Sequence, residues 1–587
     1  MLHALPLALA GIAICGPAWL AHNVSPSATF FNQATALTGW AALTIWAFGH
    51  CMPAVSTHIS GRSIVMALLV PALLALGAIG SVLLEGLPAS LMLSACGLLA
   101  VAALVLLAAM LGSQSEVREE LFAAVSIGTV VAGGVSVLIA LIQVLAPSVA
   151  DGEWISRAST AGRAGGNLRQ PNHLSSLLLG AMAASVWLHE ARVKRTSGEA
   201  TIAQCAIAAG LMAALTLGVV LTVSRTGTVC IALLALWGVV DKRLAPFSRA
   251  LLSLTPLVYA LCWLGMSEWA KASEFAGAVQ LHKSDPSSSR FGIWANTLSL
   301  IAQNPWFGVG WGEFNFAWSL TPFPNRPVAF FDHTHNLPLN LLVELGVPLG
   351  TLVLVLLAWL LWKAFIACRT APPPESAMVR TAFVMVLMMA VHSMLEYPLW
   401  YAYFLLPTAF ALGICLGHST PPPESKPVDS PWPRRLLMSA SLVLVLGTVF
   451  SVFDYLRVTK IFSVDEDDTT PLSYRIAEGQ KSIFFAHHAD YAAATVATHP
   501  STAWKAFRRA PHLLLDTRLM MAWAKAYAEK GDVERARYIA DRLREFRNPD
   551  SAEFFAECDK PRPPGIPEPF QCKSATRHFT YEDFKLR

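Results

Sequence analysis

A short polar segment holds the residues whose types best suit chemistry. Residues 332–336 read Asp-His-Thr-His-Asn, and we call them the histidine segment. Histidine is the side chain that most often takes or gives a proton near neutral pH. We predict that His335 is a general base and that Asp332 or His333 orients it, although the roles of the two histidines could be reversed.

The residues that follow predict the start of a membrane-spanning helix. Asn336 is a favoured N-cap, and Pro338 suits the first turn, where its missing N–H costs nothing. The positive end of the helix dipole then faces the same pocket as His335 and favours an anion there. Glu344, one to two turns into this helix, is a further candidate, because an acid inside a span is functional by default.

The composition places these residues in a membrane protein. Of 587 residues, 54% are hydrophobic and 14% are charged, and the mean hydropathy is +0.49. A spanning helix needs roughly 20 apolar residues, and we count about thirteen such stretches. We therefore predict an all-α, polytopic helical membrane protein. The net charge of +4 and the lack of a Lys/Arg run exclude nucleic acid as a partner.

The chain divides into five predicted parts. They are an N-terminal transmembrane scaffold (1–150), a transmembrane bundle with arginine-bearing turns (151–266), a large periplasmic loop (267–336), C-terminal transmembrane helices (337–456) and a soluble helical tail (457–587). The tail holds two short amphipathic helices joined at Gly531-Asp532, as in one tetratricopeptide unit. Cys558 and Cys572 could form a disulfide in an oxidising compartment or remain two free thiols.

The loop charges predict the orientation. With the N-terminus inside, most Lys and Arg residues of the connecting loops fall on the cytoplasmic side, as the positive-inside rule requires. Residues 267–335 and the tail then lie on the outer side, which in a bacterium is the periplasm. The predicted location is the bacterial inner membrane, with membrane lipids around the bundle and the histidine segment facing the periplasm.

Three of the arginines on the outer side, where basic residues are disfavoured, are candidate ligands for an anion. Arg169 belongs to GNLRQPNH (166–173), Arg225 to a tight turn, and Arg290 to the start of an amphipathic helix. Arginine grips phosphate oxygens bidentately and stays charged, so these residues are predicted to hold a pyrophosphate. Asn172 is also a predicted N-cap. The predicted supporting residues are Gln170, Asn172, His173, Asn336, Glu344, His392, Glu396 and Tyr397.

Four stretches together carry a family resemblance. The run RFGIWANTLSLIAQNPWFGVGWGEF (290–314), followed by DHTHNLPLNLLVELG (332–346), resembles the signature of the bacterial O-antigen ligase and polymerase superfamily. The stretches GNLRQPNH and HSMLEYPLWYAYFLLP (392–407), with the helical tail, resemble one branch of it, the pilin-type protein O-oligosaccharyltransferases. The resemblance covers roughly residues 165–410 and, more loosely, the tail.

The resemblance implies a metal-independent glycosyltransferase without a cofactor. Its donor would be a preassembled glycan on undecaprenyl pyrophosphate, and its acceptor a Ser or Thr hydroxyl of a periplasmic, pilin-like protein. The same superfamily holds O-antigen ligases, which use lipid A as acceptor, and O-antigen polymerases, and the membrane motif does not separate these alternatives. Outside the family, the arginines would also suit a transporter of a lipid-linked amphiphile. Arg157 and Arg163 are expected only to bind lipid headgroups.

Overall fold

The computed structural model describes a chain built of helices. It describes residues 4–51, 61–195, 200–272, 287–324, 326–328, 330–373, 375–418, 431–463, 469–561, 565 and 567–586. Within these ranges the only β-type pairing is one isolated bridge between Thr160 and Arg163. The predicted fold class, an all-α polytopic membrane protein, is therefore confirmed.

The apolar stretches coincide with helices. Among the described residues, nine helices are long and apolar enough to cross a membrane: Ser63–Leu84, Ala89–Gly112, Arg118–Leu145, Pro171–Arg195, Ile202–Leu221, Pro246–Lys271, Leu337–Thr370, Ser376–Ser393 and Pro433–Phe462. Three shorter helices are also apolar, and they are Ala4–Trp19, Arg225–Val240 and Ala402–Gly417. A further helix, Phe30–Cys51, packs against Ala89–Gly112 within the bundle.

The predicted number of spans, about thirteen, exceeds the number of helices that meet both criteria of length and apolar character. Arg225–Val240 has 16 residues. At a rise of about 1.5 Å per residue it is shorter than the roughly 30 Å apolar core of a bilayer. Phe30–Cys51 has 22 residues, but its threonines, tryptophans and glycines dilute its apolar character. The difference therefore has two causes, helix length and composition.

Further helices lie in the stretch before the histidine segment and in the tail. We call residues 287–336 the outer segment, and it contains the helices Ser287–Gln303 and Phe314–Leu320. The tail contains Leu472–Gly479, Ala486–Val496, Thr517–Glu529, Val533–Phe546 and Ala552–Ala556. The helix pair predicted at Gly531-Asp532 is present, and the Asp532 side chain caps its second helix by accepting from the Arg535 N–H at 3.1 Å.

The outer segment and the tail share one hydrophobic core. Ile293 and Trp318 of the outer segment are fully buried in the same cluster as Trp523, Ile539 and Phe546 of the tail. Each such side chain stabilises the folded state by roughly 1.5–3 kcal/mol when it leaves water. The two predicted parts therefore form a single packing unit, and neither has a complete core of its own.

The helix that follows the histidine segment is broken at Gly346, where φ is +76° and ψ is 167°. A loop of the outer segment, residues 305–310, lies against the break. Three backbone hydrogen bonds join the two: Val309 N–H to the Val343 carbonyl (2.8 Å), Gly310 N–H to the Glu344 carbonyl (3.1 Å) and Val347 N–H to the Pro305 carbonyl (2.7 Å). Backbone groups freed by the break are thus satisfied by protein, which a membrane helix requires.

Replacing Gly346 by alanine is expected to lower the free energy of unfolding by at least roughly 2 kcal/mol. A Cβ at this position would clash with the Trp306 carbonyl group, and the left-handed φ disfavours any side chain. Thermal unfolding of the purified protein in nanodiscs measures the effect. Gly447→Ala is the matched control, because a Cβ there meets nothing within 4 Å. Equal midpoints for the two variants would contradict the prediction.

The end of the tail is cross-linked by a disulfide between Cys558 and Cys572, with a sequence separation of 14. This bond decides between the two alternatives that the sequence left open. A disulfide restricts the unfolded chain, and its effect grows with the length of the loop that it closes. Disulfides persist in oxidising compartments, so the bond fits a tail on the outer side of the membrane.

Removing this disulfide with Cys558→Ser and Cys572→Ser is expected to destabilise the tail by about 2–4 kcal/mol. Denaturant unfolding, followed by tryptophan fluorescence, measures the change. Cys96→Ser is the control, because Cys96 is a free cysteine. If the double variant unfolds at the same denaturant concentration as the control, the cross-link contributes nothing to tail stability.

Candidate active site

Polar residues from distant parts of the chain meet at one end of the bundle. They come from the turn after Ser376–Ser393 and from the starts of four helices or the residues just before them. The four helices are Pro171–Arg195, Arg225–Val240, Ser287–Gln303 and Leu337–Thr370. The central residue of the cluster is Glu396, which is only 6% exposed. A buried carboxylate needs charged or hydrogen-bonding partners, and Glu396 has several.

Glu396 joins three residues of the predicted site. Its Oε2 accepts from His335 Nδ1 at 2.8 Å, and its Oε1 accepts from Arg290 Nη2 at 2.6 Å and from Asn172 Nδ2 at 3.0 Å. Burial opposes the charged form of Glu396, but the His335 hydrogen bond and the charges of His335 and Arg290 lower its pKa to about 2. The carboxylate is therefore ionised near neutral pH.

This ionised carboxylate determines the tautomer of His335. A carboxylate can only accept hydrogen bonds, so Nδ1 of His335 carries the proton that Glu396 accepts. In the neutral imidazole the lone pair then lies on Nε2. The side chain of His335 is 17% exposed, which gives a reactant access to the ring. This geometry is compatible with the predicted role of His335 as a general base, which stays a prediction.

His333 provides a second acceptor for the same N–H. Its Nε2 lies 3.3 Å from Nδ1 of His335, while its Nδ1 donates to the carboxylate of Asp332. Burial lowers the pKa of His333, and the hydrogen bond with Asp332 acts in the opposite direction. The Tyr397 ring packs on His333 with 3.2 Å between ring centroids. Asp332 contacts His333 rather than His335, and its side chain is 57% exposed.

The backbone of the histidine segment is strained at His335, where φ is +53°. Residues other than glycine avoid this left-handed region, and such outliers concentrate at functional sites. The next residue, Asn336, is the predicted N-cap and accepts from the Leu339 N–H at 3.0 Å. Its amide also donates to the Met394 carbonyl at 3.0 Å, two residues before Glu396. His335 is therefore held between a helix cap and the turn that carries its partner.

The predicted N-cap at Asn172 is wrong, because the helix begins at Pro171, two residues before the start that a cap at Asn172 would give. Gln170 is the capping side chain, and its Oε1 accepts from the His173 N–H at 2.7 Å. Asn172 then lies in the first turn, where its amide donates to Glu396 and its Oδ1 accepts from the Ser224 hydroxyl at 2.7 Å. This hydrogen-bond chain joins the turn before Arg225–Val240 to the cluster.

Arg169 forms its hydrogen bonds with the chain between the first two helices. Its guanidinium donates to the carbonyl oxygen of Ala28 at 2.8 Å and to that of Ala21. These bonds attach the chain between the first two helices to the loop before Pro171–Arg195. Among the described residues, none of its hydrogen bonds goes to the histidine segment.

Arg163, which the sequence placed only among lipid headgroups, lies beside the cluster. Its Nε donates to the Thr222 carbonyl at 3.2 Å and its Nη2 to the Val223 carbonyl at 3.5 Å, in the turn before Arg225. Burial and the charge of Arg225 lower the pKa of Arg163, while Glu396 acts in the opposite direction. Neighbouring guanidinium groups repel each other, and a bound anion would relieve that repulsion. The spacing of residues along the sequence does not predict this contact.

Three predicted supporting residues lie deeper in the protein. His392 is fully buried and its Nδ1 lies 2.7 Å from the Ser176 hydroxyl. Nδ1 of His173 lies 3.3 Å from the Tyr403 hydroxyl. Glu344 is buried beside the helix break. The structure therefore places these residues around the cluster rather than in it.

His333, His335 and Glu396 also offer three donor atoms within 4.8 Å of one another, a group that could hold a metal ion. Two features weigh against that use. Nδ1 of His335 presents a proton rather than a lone pair to Glu396, and Arg290 pairs with the carboxylate. Metal ligands must be deprotonated and compete poorly with a resident cation. The absence of a metal requirement stays a prediction.

Comparison with family models gives three matches. Residues 210–355 match the model described as O-antigen ligase, and residues 381–560 match the model described as virulence factor membrane-bound polymerase, C-terminal. Residues 164–189 match a model described as protein glycosylation ligase. These ranges contain Asn172, Arg290, the histidine segment and Glu396.

Two similar proteins come from Acinetobacter baylyi. A general O-oligosaccharyltransferase is 34% identical over 167 residues, which is 28% of each chain. A ComP-specific O-oligosaccharyltransferase is 25% identical over 290 residues, which is 48% of each chain. The matched regions thus span between about a quarter and a half of the length of these relatives.

Proposed function

Because this chain belongs to the O-antigen ligase superfamily, in its protein glycosylation ligase branch, we propose that it is an oligosaccharyltransferase. It moves a preassembled glycan as one unit from a lipid pyrophosphate carrier, undecaprenyl pyrophosphate, to Ser or Thr hydroxyls of proteins. The observation that carries the proposal is the contact of His335 and Arg290 with opposite oxygens of one buried carboxylate, Glu396.

The cluster supplies the base that this reaction needs. A serine or threonine hydroxyl is a weak nucleophile, and Nε2 of His335 removes its proton as the oxygen attacks the first carbon of the glycan. Glu396 stabilises the imidazolium that results, and it fixes the ring in the reactive tautomer. His333, with Asp332 behind it, provides the second hydrogen-bond acceptor for the same ring. Attack from the face opposite the leaving group inverts the configuration of that carbon.

The arginines stabilise the leaving group. Negative charge grows on the pyrophosphate as its bond to the glycan breaks, and preorganised cations lower the energy of that transition state. Arg290 lies at the cluster, and Arg225 opens its helix beside the Ser224 that joins Asn172. Arg169, for which the sequence predicts the same role, bonds to the Ala21 and Ala28 carbonyls and so supports the site by attaching the loop that precedes Asn172.

An apolar cavity between the helices suits a short part of the donor's lipid chain. Its lining side chains include Ile14, Phe122, Leu177, Met388 and Phe404. Ser176, which contacts His392, also lines it, so the cavity reaches the region below the polar cluster. A polyprenyl chain would gain from leaving water there.

We further propose a protein acceptor and a location at the periplasmic face of the inner membrane. The branch match at 164–189 and the two relatives favour a protein acceptor, such as a pilin-like protein, over lipid A or a growing glycan. The loop charges and the tail disulfide favour a site that faces the periplasm across the bacterial inner membrane. A transporter is less favoured, because the polar groups gather at one end of the bundle rather than along a path through it.

The test is glycosylation of a co-expressed pilin-like protein. The host cells make a lipid-linked glycan and lack their own ligases, and modification is read by intact-protein mass spectrometry. Transfer of the whole glycan to the protein supports the proposal. Glycan joined to lipid A, or polymerised on its carrier, would support the proposed transfer chemistry but would contradict the proposed protein acceptor. No transfer to any acceptor, with the donor shown to be present, would favour the transporter.

A further inference from the structure

The chain just before the histidine segment is held by a buried arginine. The side chain of Arg326 is 0% exposed and forms an ion pair with Glu545 of the tail at 3.2 Å. Its guanidinium also donates to the carbonyl oxygen of Trp318 at 2.6 Å and to that of Thr321. A buried guanidinium is costly unless its donors are satisfied, so Arg326 is fixed by both the outer segment and the tail.

Phe546 is the tail residue on which this stretch rests. It ends the Val533–Phe546 helix and is fully buried. Its ring stacks on Phe330 with 3.8 Å between centroids, and the Arg326 guanidinium lies 4.4 Å from its ring centre. It also meets the ring of Trp318 at 5.5 Å. One side chain of the tail thus contacts both ends of the chain between Arg326 and Phe330.

A second contact from the tail reaches the residue that directly precedes Asp332. The backbone N–H of Leu515 donates to Asn315 Oδ1 at 2.7 Å, and the Asn315 amide donates to the Phe331 carbonyl at 2.9 Å. The ring of Phe331 in turn packs edge-on against His335, with 5.5 Å between centroids. The tail is therefore connected to the histidine segment through both Phe330 and Phe331.

We propose that Phe546 is a positioning residue for the reaction, acting through Phe330 and Arg326 on the histidine segment. The inference rests on the proposed function of that segment. His335 has a left-handed backbone, which is held only if the chain on both sides of it is fixed. Asn336 fixes the following side through the helix cap, and Phe546 fixes the preceding side. The tail is thus part of the scaffold of the site.

The test is Phe546→Leu in the full chain, with Phe554→Leu as the matched control. Phe554 belongs to the same core, but its ring neighbours are Phe555 and Phe570 of the tail. The assay uses purified protein in nanodiscs, an undecaprenyl pyrophosphate-linked oligosaccharide and the pilin-like acceptor. We expect kcat to fall roughly tenfold or more in Phe546→Leu, because a small displacement of a base can cost about 10²-fold in rate. The KM for the acceptor should stay within about threefold, and the control should keep both constants.

A raised acceptor KM with unchanged kcat would overturn the proposal, because it would assign Phe546 to acceptor docking. An equal loss of kcat in both variants would overturn it too, because the effect would then be general damage to the core. A second measurement does not depend on glycan transfer. Carbethoxylation of His335 by diethylpyrocarbonate, followed by mass spectrometry, should be at least threefold faster in Phe546→Leu than in the control. Equal rates would show that the ring environment does not depend on Phe546.

Discussion

His335→Ala is expected to lower the rate of glycan transfer by roughly 10²- to 10⁴-fold, the usual contribution of a positioned general base. The variant should still bind the donor, because the arginines are unchanged. Transfer to the pilin-like acceptor, at matched protein levels in the membrane, measures the effect. His499→Ala is the control, because the side chain of His499 is 73% exposed and lies in the tail.

We expect alanine variants of the two histidines to differ in this assay. The tautomer imposed by Glu396 favours Nε2 of His335 as the base, while His333 only accepts from the same ring. His333→Ala should therefore retain more activity than His335→Ala. If His333→Ala is the more severe variant, the base is His333. If neither variant loses more than about tenfold, proton removal by this segment does not limit transfer.

Glu396→Gln is expected to reduce transfer by a similar factor, roughly 10²- to 10⁴-fold. Glutamine keeps the shape of the side chain and can still accept from Arg290 and Asn172. It removes the negative charge that stabilises the imidazolium of His335. The charge change should therefore act on kcat rather than on folding. Glu153→Gln is the control, because the Glu153 side chain is 72% exposed.

The pH dependence of the transfer rate distinguishes protonation of the Glu396 carboxylate from protonation of the base. Hydrogen bonding and neighbouring charge lower the pKa of Glu396 to about 2 against the opposing effect of burial, so it becomes protonated only as the pH falls toward that value. Its titration should leave the rate unaffected between about pH 5 and 9. A fall in the rate toward lower pH within that range, which we call the acid limb, then reports protonation of a histidine. In Glu396→Gln the limb should move to lower pH, and an unchanged limb would contradict the role given to Glu396.

The sequence predicted features that depend on neighbouring residues. The cap at Asn336, the proline in the first turn and the helix pair in the tail follow from local rules of hydrogen bonding and backbone geometry, and the structure contains them. The all-α class followed from the length of the apolar stretches, because only helices satisfy their own backbone groups in lipid. These predictions therefore rest on interactions between residues that are close in the sequence.

Features that depend on distant pairing were missed. Glu396 was counted only as a supporting residue, because its bond to His335 joins residues 61 positions apart. Arg163 looked like a headgroup ligand, since its partners lie in a turn about sixty residues later. Gln170 rather than Asn172 caps the helix, and the Asn172 side chain instead binds Glu396 and Ser224, which are far away in the sequence. Spacing within one stretch cannot reveal which turn the fold places next to it.

The core shared by the outer segment and the tail has a consequence for biosynthesis. In the proposed topology, the outer segment is synthesised and crosses the membrane well before Trp523 and Phe546 exist. Until the last membrane helix is inserted and the tail follows it across, Ile293 and Trp318 lack the partners that bury them. With this topology, the nascent chain carries an incomplete candidate site through most of its insertion, and the proposed activity begins only when the tail has been translocated.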